Sequence, residues 1–578
     1  MRVDEMNKFE QVLFDITALG LVLFYSYSAV ISPAATQFHR GIYVIATYFL
    51  VFLVYRSKGN IGRAWDYLLI LVSVITLGYW IVNFEVINYR AGAETELDKW
   101  IAVAGVLVGV EVARRVVGNA FVIIGSIMLL YGVFGEYAPE LISHAGDTFP
   151  DLCTSIFYKS DGVFGIMANV LATYIILFVF FGAFLEKSGA QSFFIDYPLA
   201  AVGHKIGGPG KVSVIASGLF GSISGSAIAN TVSTGAFTIP MMKKAGFKSH
   251  VAGGIEPAAS IGGMFLPPIM GAGGFIMAEM TGLPYSQIML VAIFPALMYF
   301  FSVFMMVHYY AKKNNIVGER SEKSASEIFK KNWYYILPLV AITVLMLMGY
   351  SPGFSAIIGI ITCIAVSWFR KETRIDVRGF VSASRAGAEA SLKIGATVGV
   401  IGIIIGVLTY SGLILTFADI VIELADGKLY LTILFIALGS LILGMGVPVT
   451  AAYLITAVVA VPALTHLGVN LVAAHMIVYW LSQDSNITPP VCIAAFAGAT
   501  IAKANMWATA WVAFKMAKFL YLAPFLFGYV PGFSLDGSAM DIVITFTLVF
   551  FGTWAYSWLL SGIWLDWFKK KSTAESQN

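Results

Sequence analysis

The chain reads as an all-α polytopic membrane protein, in which a four-span scaffold region is fused to an inverted repeat carrying two re-entrant hairpins. Three observations carry this expectation. Hydrophobic residues make up 58% of the 578, charged residues only 12%, and mean hydropathy is +0.82; a soluble domain cannot hide that much apolar surface. The pair Pro267-Pro268 recurs as Pro489-Pro490, an offset of 222 residues. Finally, the charges flanking equivalent spans of the two halves are reversed in order.

The repeat rests on residues that interrupt helices. The same offset places Pro240 on Pro462, Gly246 on Gly468 and Ser260 on Ser482, with Ala252 on Ala474 and Ile255 on Ile477. Pro and Gly break helices rather than fill them. Two helices broken at matching places are the sequence sign of a secondary transporter whose site lies where the halves meet. Single prolines would read as transmembrane kinks. Doubled prolines beside Ser, Asn and Thr remove more backbone bonding than a kink requires.

Residues 1–140 hold apolar spans near 12–31, 41–55, 67–87 and 116–136, each about long enough to cross a bilayer. Between the last two, 97–115 reads as an amphipathic helix with Glu111, Arg114 and Arg115 on its polar side. The first repeat, 149–311, has a long span at 163–186 and an amphipathic stretch near 191–205. A Gly/Ser-broken segment at 213–242, a proline-split segment at 249–281 and a span at 286–310 complete it. After a hydrophilic linker, 312–332, the second repeat (333–530) opens with spans at 333–349 and 353–369. It then repeats the order with a charged stretch 371–392, a span 393–417, a broken segment 444–465 and a split segment 470–501. Residues 531–578 add a span near 539–567 and a tail bearing Lys569, Lys570 and Lys571.

Basic loops set the orientation. Lys312, Lys313, Arg320, Lys323, Lys330 and Lys331 place the linker in the cytoplasm, and Arg370, Lys371, Arg374 and Arg378 place 371–392 there too. Span 393–417 then runs outward to an acidic loop of Asp419, Glu423 and Asp426. In the first repeat Asp147, Asp151 and Asp161 precede span 163–186, and Lys187, Lys205 and Lys211 follow it, so this span runs inward. Equivalent spans are therefore antiparallel, and the C-terminal tail is expected in the cytoplasm.

The first tip, Gly221-Ser222-Ile223-Ser224-Gly225-Ser226 with Asn230 and Thr231 behind it, does not suit a lipid-facing helix and fits a re-entrant hairpin. Its oxygens can replace the hydration shell of a small cation. Gly444-Met445-Gly446-Val447-Pro448-Val449-Thr450 is the matching tip. Close helix packing alone is the competing reading of the glycines. Ser260-Ile261-Gly262-Gly263 precedes the first proline pair, and Ser482-Gln483-Asp484-Ser485-Asn486-Ile487-Thr488 the second. Residues before proline leave the helical region. The half-helix that restarts offers N–H groups to a carboxylate, and the half that ends offers carbonyls to a cation. Expected cation ligands are Ser224, Ser226, Asn230, Ser260, Gly262, Thr450, Ser485, Asn486 and Thr488. Expected substrate contacts are Ser222, Thr231, Pro267, Pro268, Asp484, Pro489 and Pro490. Glu256 and Asp484 sit at membrane depth, where a carboxylate is costly and functional. They are candidate proton carriers, against the reading that each faces water at a cavity mouth. Glu279, nearer a loop, reads as structural.

Other classes find no support. A net charge of +3 sits in loops and carries no message about nucleic acid. Cys153, Cys363 and Cys492 are too dispersed for a disulfide framework or a metal site. Met1 to Glu10 is polar, so no cleavable signal is expected. Enzymatic chemistry would need a His-Asp pair, a metal cluster or a nucleotide loop, and Gly271-Ala272-Gly273-Gly274 lacks the strand context of the last.

The GSISGS…NT tip, the IPMMKKAGF turn and the LPPI and ITPPV links resemble the large membrane subunit of tripartite ATP-independent periplasmic (TRAP) transporters, over about 150–530. The first region resembles the small subunit, and with the extra C-terminal span the arrangement is similar to fused permeases that work with TAXI-type binding proteins. The resemblance implies an elevator mechanism, a periplasmic or membrane-anchored binding protein, small organic acids as substrates and a bacterial or archaeal inner membrane. It implies Na+ as the coupling ion, with H+ the alternative in the TAXI branch. The oxygen-rich links are paired across the repeat whereas the acids are not, Glu256 aligning with Val478 and Asp484 with Gly262, which favours sodium. A stand-alone divalent-anion/sodium symporter-like dicarboxylate carrier is the second reading; the fused four-span region argues against it.

Overall fold

A computed structural model describes residues 6–445 and 447–563. Within them the regular structure is helical apart from one antiparallel bridge, Ile206 to Val317. Nine of the described helices are long and apolar enough to cross a membrane. The expected tail lysines 569–571 and the tip residue Gly446 lie outside the described residues.

The first region contains Lys8–Val30, Thr36–Val54, Gly59–Val82, Glu96–Val116 and Asn119–Val133. The fourth of these differs from the amphipathic helix expected at 97–115. Its charges cluster at the two ends, and Trp100 to Val110 is apolar on every side. One face is buried through Ala102, Val106, Gly109 and Ala113, while Leu97, Trp100 and Leu107 point outward. A Thr95/Asp98 capping box starts it, satisfying N–H groups that a helix end otherwise leaves open.

The span expected at 163–186 is Ile166–Lys187. One π-helical turn, Leu171–Ile175, interrupts it. It joins the first region to the repeats. Arg40 Nε donates to Asn169 Oδ1 at 3.1 Å, and Asn169 Nδ2 donates to Glu279 Oε1 at 2.7 Å. Glu279 is thus a structural contact. The charged stretch and span of the second repeat are Val377–Gly395 and Val398–Tyr410. Asp419 and Glu423, expected in a loop, lie on a helix, Leu413–Leu424, that Gly412 starts in a left-handed conformation (φ 70°). The C-terminal span is Ala539–Ser561, opened by a Ser538/Asp541 capping box.

Each repeat builds one helical hairpin and one broken helix. The first hairpin is Gly208–Ser224 with Ala227–Lys244, and the second is Leu429–Leu443 with Val449–His466. The first broken helix is Ser249–Gly262 with Gly273–Thr281, and the second is Leu471–Leu481 with Ile493–Ala502. Both breaks contain a cis Pro-Pro bond and a non-glycine residue at positive φ just beyond it, Met270 (57°) and Cys492 (41°). The halves exchange partners across the repeats. Ser249–Gly262 packs on Ile493–Ala502, and Gly273–Thr281 packs on Leu471–Leu481. The hairpins follow: Ala227–Lys244 also touches Ile493–Ala502, and Val449–His466 also touches Gly273–Thr281.

Candidate transport site

The first hairpin turns at Gly225, whose φ of 63° is one that only glycine adopts without cost. Ser226 then caps the second arm, its Oγ accepting from Ala229 N at 3.3 Å. The tip is pressed against its own repeat's broken helix. A Cβ on Gly263 would lie 2.3 Å from Gly221 Cα, and one on Gly225 would lie 3.4 Å from Gly271 Cα. Two backbones approach this closely only where both lack side chains. Behind the tip, Asn230 is fully buried; Nδ2 donates to Ser217 O at 2.8 Å, and Oδ1 has no partner among the described residues. Thr231 Oγ1 is likewise buried and unpartnered. Ser224 is exposed at the tip, and buried Ser222 donates to Leu219 O.

The first link is less open than its sequence implies. Tyr479, from the second broken helix, reaches the carbonyls of Met264 (2.7 Å) and Met270 (2.6 Å). Tyr285 does the same for Pro268 (2.8 Å) and Ile269 (2.7 Å). Breaking a helix in an apolar interior frees carbonyls that must be satisfied, and here tyrosine hydroxyls reach four of them. Pro267 and Pro268 are half-buried. Gly262 has the Tyr299 ring where its Cβ would be.

Glu256 is fully buried one helical turn before Ser260. Ser213 and Thr238 donate to its Oε2, and Ser217 and Thr234 to its Oε1, with Ser260 Oγ at 3.4 Å. These hydroxyls come from both arms of the first hairpin, so one carboxylate ties the hairpin to the broken helix. No cation forms an ion pair with Glu256 among the described residues. It does not face a cavity mouth; hydroxyl donors replace its water.

The second site has the same plan and more open polar atoms. Gly444 in the second tip sits so close to the link that a Cβ there would be 2.3 Å from Ser485 Oγ. Gln483, Asp484, Ser485 and Asn486 are all buried. Asp484 O accepts from Thr488 N at 2.8 Å, while Asp484 Oδ1 and both side-chain polar atoms of Gln483 have no partner among the described residues. Asn486 Nδ2 donates to Gln483 O at 3.3 Å, and Thr488 Oγ1 pairs with Tyr521 OH at 2.7 Å. Thr450 is buried at the start of the hairpin's second arm; Pro489 is half-buried and Pro490 exposed. Unsatisfied buried oxygens are rare and costly. Asn230 Oδ1 and Asp484 Oδ1 are oxygens of the kind that could serve as ligands to a small hard cation.

Sequence reasoning passed over four of the hydroxyls around Glu256, those of Ser213, Ser217, Thr234 and Thr238, the two tyrosines and the side chain of Gln483. The first had a signal: Ser213/Ser217, Thr234/Thr238 and Glu256/Ser260 are three pairs at i,i+4, one face of three helices. Tyr479 had none, since it acts on carbonyls 209 and 215 residues back along the chain, and Tyr285 reaches back 16 and 17 residues across the second half-helix, a spacing that marks no shared helix face.

The family described as Tripartite ATP-independent periplasmic transporter, DctM component, matches residues 104–533. The chain belongs to this family. It is a TRAP transporter permease, a multi-pass membrane protein of a class that takes substrate up together with a periplasmic binding protein. Among relatives, a TRAP transporter large permease protein of Haemophilus influenzae is 24% identical over 317 residues, covering 54% of this chain and 74% of that one. The 2,3-diketo-L-gulonate TRAP transporter large permease protein of Escherichia coli is 28% identical, over 28% of this chain and 39% of its own. The C4-dicarboxylate TRAP transporter large permease protein of Rhodobacter capsulatus is 35% identical over a shorter stretch, 16% and 21% of the two chains. A solved transporter structure, YdaH of Alcanivorax borkumensis, aligns at 15% identity and a TM-score of 0.45 over 75% of this permease and 99% of that chain, too loosely to place residues.

Proposed function

We propose that this permease imports a small organic anion, a carboxylate, handed over by a TAXI-type binding protein at the inner membrane. Uptake is driven by a cation gradient through an elevator movement of the hairpins and broken helices, with residues 1–140 as small-subunit-like scaffold. The observation that carries the reading is the pair of hairpin tips, each lying on a helix break, with unpartnered buried oxygens beside both. Asn230 with the tip carbonyls would hold one cation, and Asp484, Ser485, Asn486 and Thr450 another. The half-helix restarting after each proline pair would offer N–H groups to the substrate carboxylate, with Thr231 and Gln483 adding polar contacts. The names of the relatives, a diketo-gulonate and a C4-dicarboxylate transporter, support a carboxylate. Sodium is the favoured ion because the oxygen-rich links are paired across the repeat whereas Glu256 and Asp484 are not, with protons through either acid as the alternative.

Reconstitution tests this reading. Permease in vesicles, supplied with its binding protein and a panel of labelled organic acids, should take up one of them under an inward sodium gradient and far less without the binding protein. Uptake that needs only a pH gradient, and is lost in Asp484→Asn or Glu256→Gln, would replace sodium by the proton. Robust uptake by the permease alone would sink the tripartite reading.

A further inference from the structure

Two lysines at one corner of the bundle carry no counter-charge. Lys248 immediately precedes the first broken helix, Ser249–Gly262, and Lys515 lies on Met506–Met516; these two helices pack on each other. Neither ammonium forms an ion pair or a hydrogen bond among the described residues. Both line a cavity of about 240 Å³ whose wall also holds His250, Met306, Lys313 and Ser561, with no carboxylate among its lining residues. One helical turn beyond Lys515, buried Lys518 donates to Ser302 (3.1 Å) and Ser557 (2.9 Å). These serines stand four residues before Met306 and Ser561, on the same faces of the same two helices.

The cavity lies at the membrane boundary that the basic loops predict to be cytoplasmic, because Lys313 leads directly into the linker 312–332. Running back from Ser561, the C-terminal span carries Trp558, Trp554, Phe551 and Leu548, all exposed at spacings that keep them on one side. Trp511, exposed one turn before Lys515, is of the type that gathers at membrane–water interfaces. At about 240 Å³ the cavity is smaller than the about 300–1,000 Å³ of sites that enclose a drug-sized ligand. It has room for a headgroup whose chains lie outside it.

We propose that this cavity binds the phosphate of an anionic phospholipid of the cytoplasmic leaflet, with the acyl chains along the stripe from Trp558 to Leu548. Lys248 and Lys515 supply the charge, each ammonium binding phosphate as a point charge. The first N–H groups of Ser249–Gly262, which receive no side-chain cap, add donors on the same side. The cytoplasmic leaflet is the one that carries anionic lipid. The apolar stripe is what separates a lipid from a free anion. The chain's own tail brings Lys569, Lys570 and Lys571, a poor match for a wall of lysines.

The test titrates purified full-length protein in neutral detergent with phosphatidylglycerol, phosphatidylcholine or inorganic phosphate, following adducts by native mass spectrometry and thermal unfolding. Phosphatidylglycerol should bind saturably and raise the unfolding temperature, and phosphatidylcholine should do neither. The double variant Lys248→Gln/Lys515→Gln should lose roughly thirtyfold in phosphatidylglycerol affinity. Both residues are exposed, so its lipid-free unfolding temperature should match the parent's. Lys330→Gln/Lys331→Gln, which removes two exposed lysines from the linker helix Ala325–Asn332, should bind the lipid as the parent does. Equal binding of phosphatidylcholine overturns the proposal. So does undiminished affinity in the cavity variant, or an equal loss in the linker variant. A response to inorganic phosphate matching that to phosphatidylglycerol overturns the lipid assignment in favour of a free anion.

Discussion

Asn230 is held by its amide nitrogen while its amide oxygen is left buried and open. Asn486 donates its nitrogen to Gln483 O beside the unpartnered Asp484 oxygen. Asn230→Ala and Asn486→Ala should therefore impair ion coupling more than protein abundance. The check is the sodium dependence of uptake against the amount of folded permease; normal transport with unchanged ion dependence in both would mean the cation is held elsewhere. Glu256 makes the opposite prediction, because its four short hydroxyl contacts join the hairpin to the broken helix. Thr234 and Thr238 can turn to the carbonyls of Asn230 (2.7 Å) and Thr234 (3.1 Å) if the carboxylate is removed, whereas Ser213 has no second acceptor among the described contacts. Glu256→Ala should lower stability by about 2–3 kcal/mol, read as a clear drop in unfolding temperature in detergent. Glu256→Gln keeps an acceptor and should unfold much nearer the parent.

At the scale of elements, the hairpin and the break are one packing unit because Gly221 and Gly263 meet backbone to backbone. Gly263→Ala puts a methyl group into the space of a main-chain atom, and such overpacking costs about 1–3 kcal/mol. It should unseat the tip and remove most transport while the scaffold still inserts. Gly439→Ala, on a helix where the added methyl meets nothing within 4 Å, is the control and should transport normally. Equal activity of the two variants would mean the close approach has no functional weight. The broken helices explain why such contacts exist at all. Each proline pair ends a helix, and the exchange of halves between repeats gives the freed ends new neighbours.

For the whole molecule, the decisive question is whether the hairpins move as bodies against the scaffold. Ser224 is exposed and Thr450 buried in this arrangement. An elevator would exchange their surroundings. Cysteines introduced at 224 and 450 should be labelled from opposite sides of the membrane, and binding of substrate and coupling ion should change the two reactivities in opposite directions. Identical labelling under all conditions would exclude the elevator. The moving part would also have to release Glu279 from Asn169 and Phe275 from Tyr174 and Phe178, contacts between the first broken helix and the helix linking it to the scaffold.

Composition and period settle the class of this protein on their own. An apolar fraction this high leaves only membrane helices, and paired prolines must break them wherever the chain folds. The offset between Pro267 and Pro489 locates both broken helices, and the Gly-Ser run locates the first tip, because these are local effects of residues that cannot continue a helix. Local signals fail where the charge pattern is ambiguous. The helix Glu96–Val116 carries its charges at its ends, and counting them along the sequence makes an apolar segment look amphipathic. What only the tertiary structure decides is which polar groups remain open. The segment around Pro267-Pro268 looks as rich in free carbonyls as the one around Pro489-Pro490, yet Tyr285 and Tyr479 reach four carbonyls of the first, while beside the second the side chains of Gln483 and Asp484 keep polar atoms without a partner among the described residues. Likewise Glu256 reads in sequence as a lone acid at membrane depth and proves to be ringed by hydroxyls from three helices. A hydrogen bond depends on distance in space, and residues 215 positions apart (Met264 and Tyr479) leave no trace of their meeting in the sequence between them.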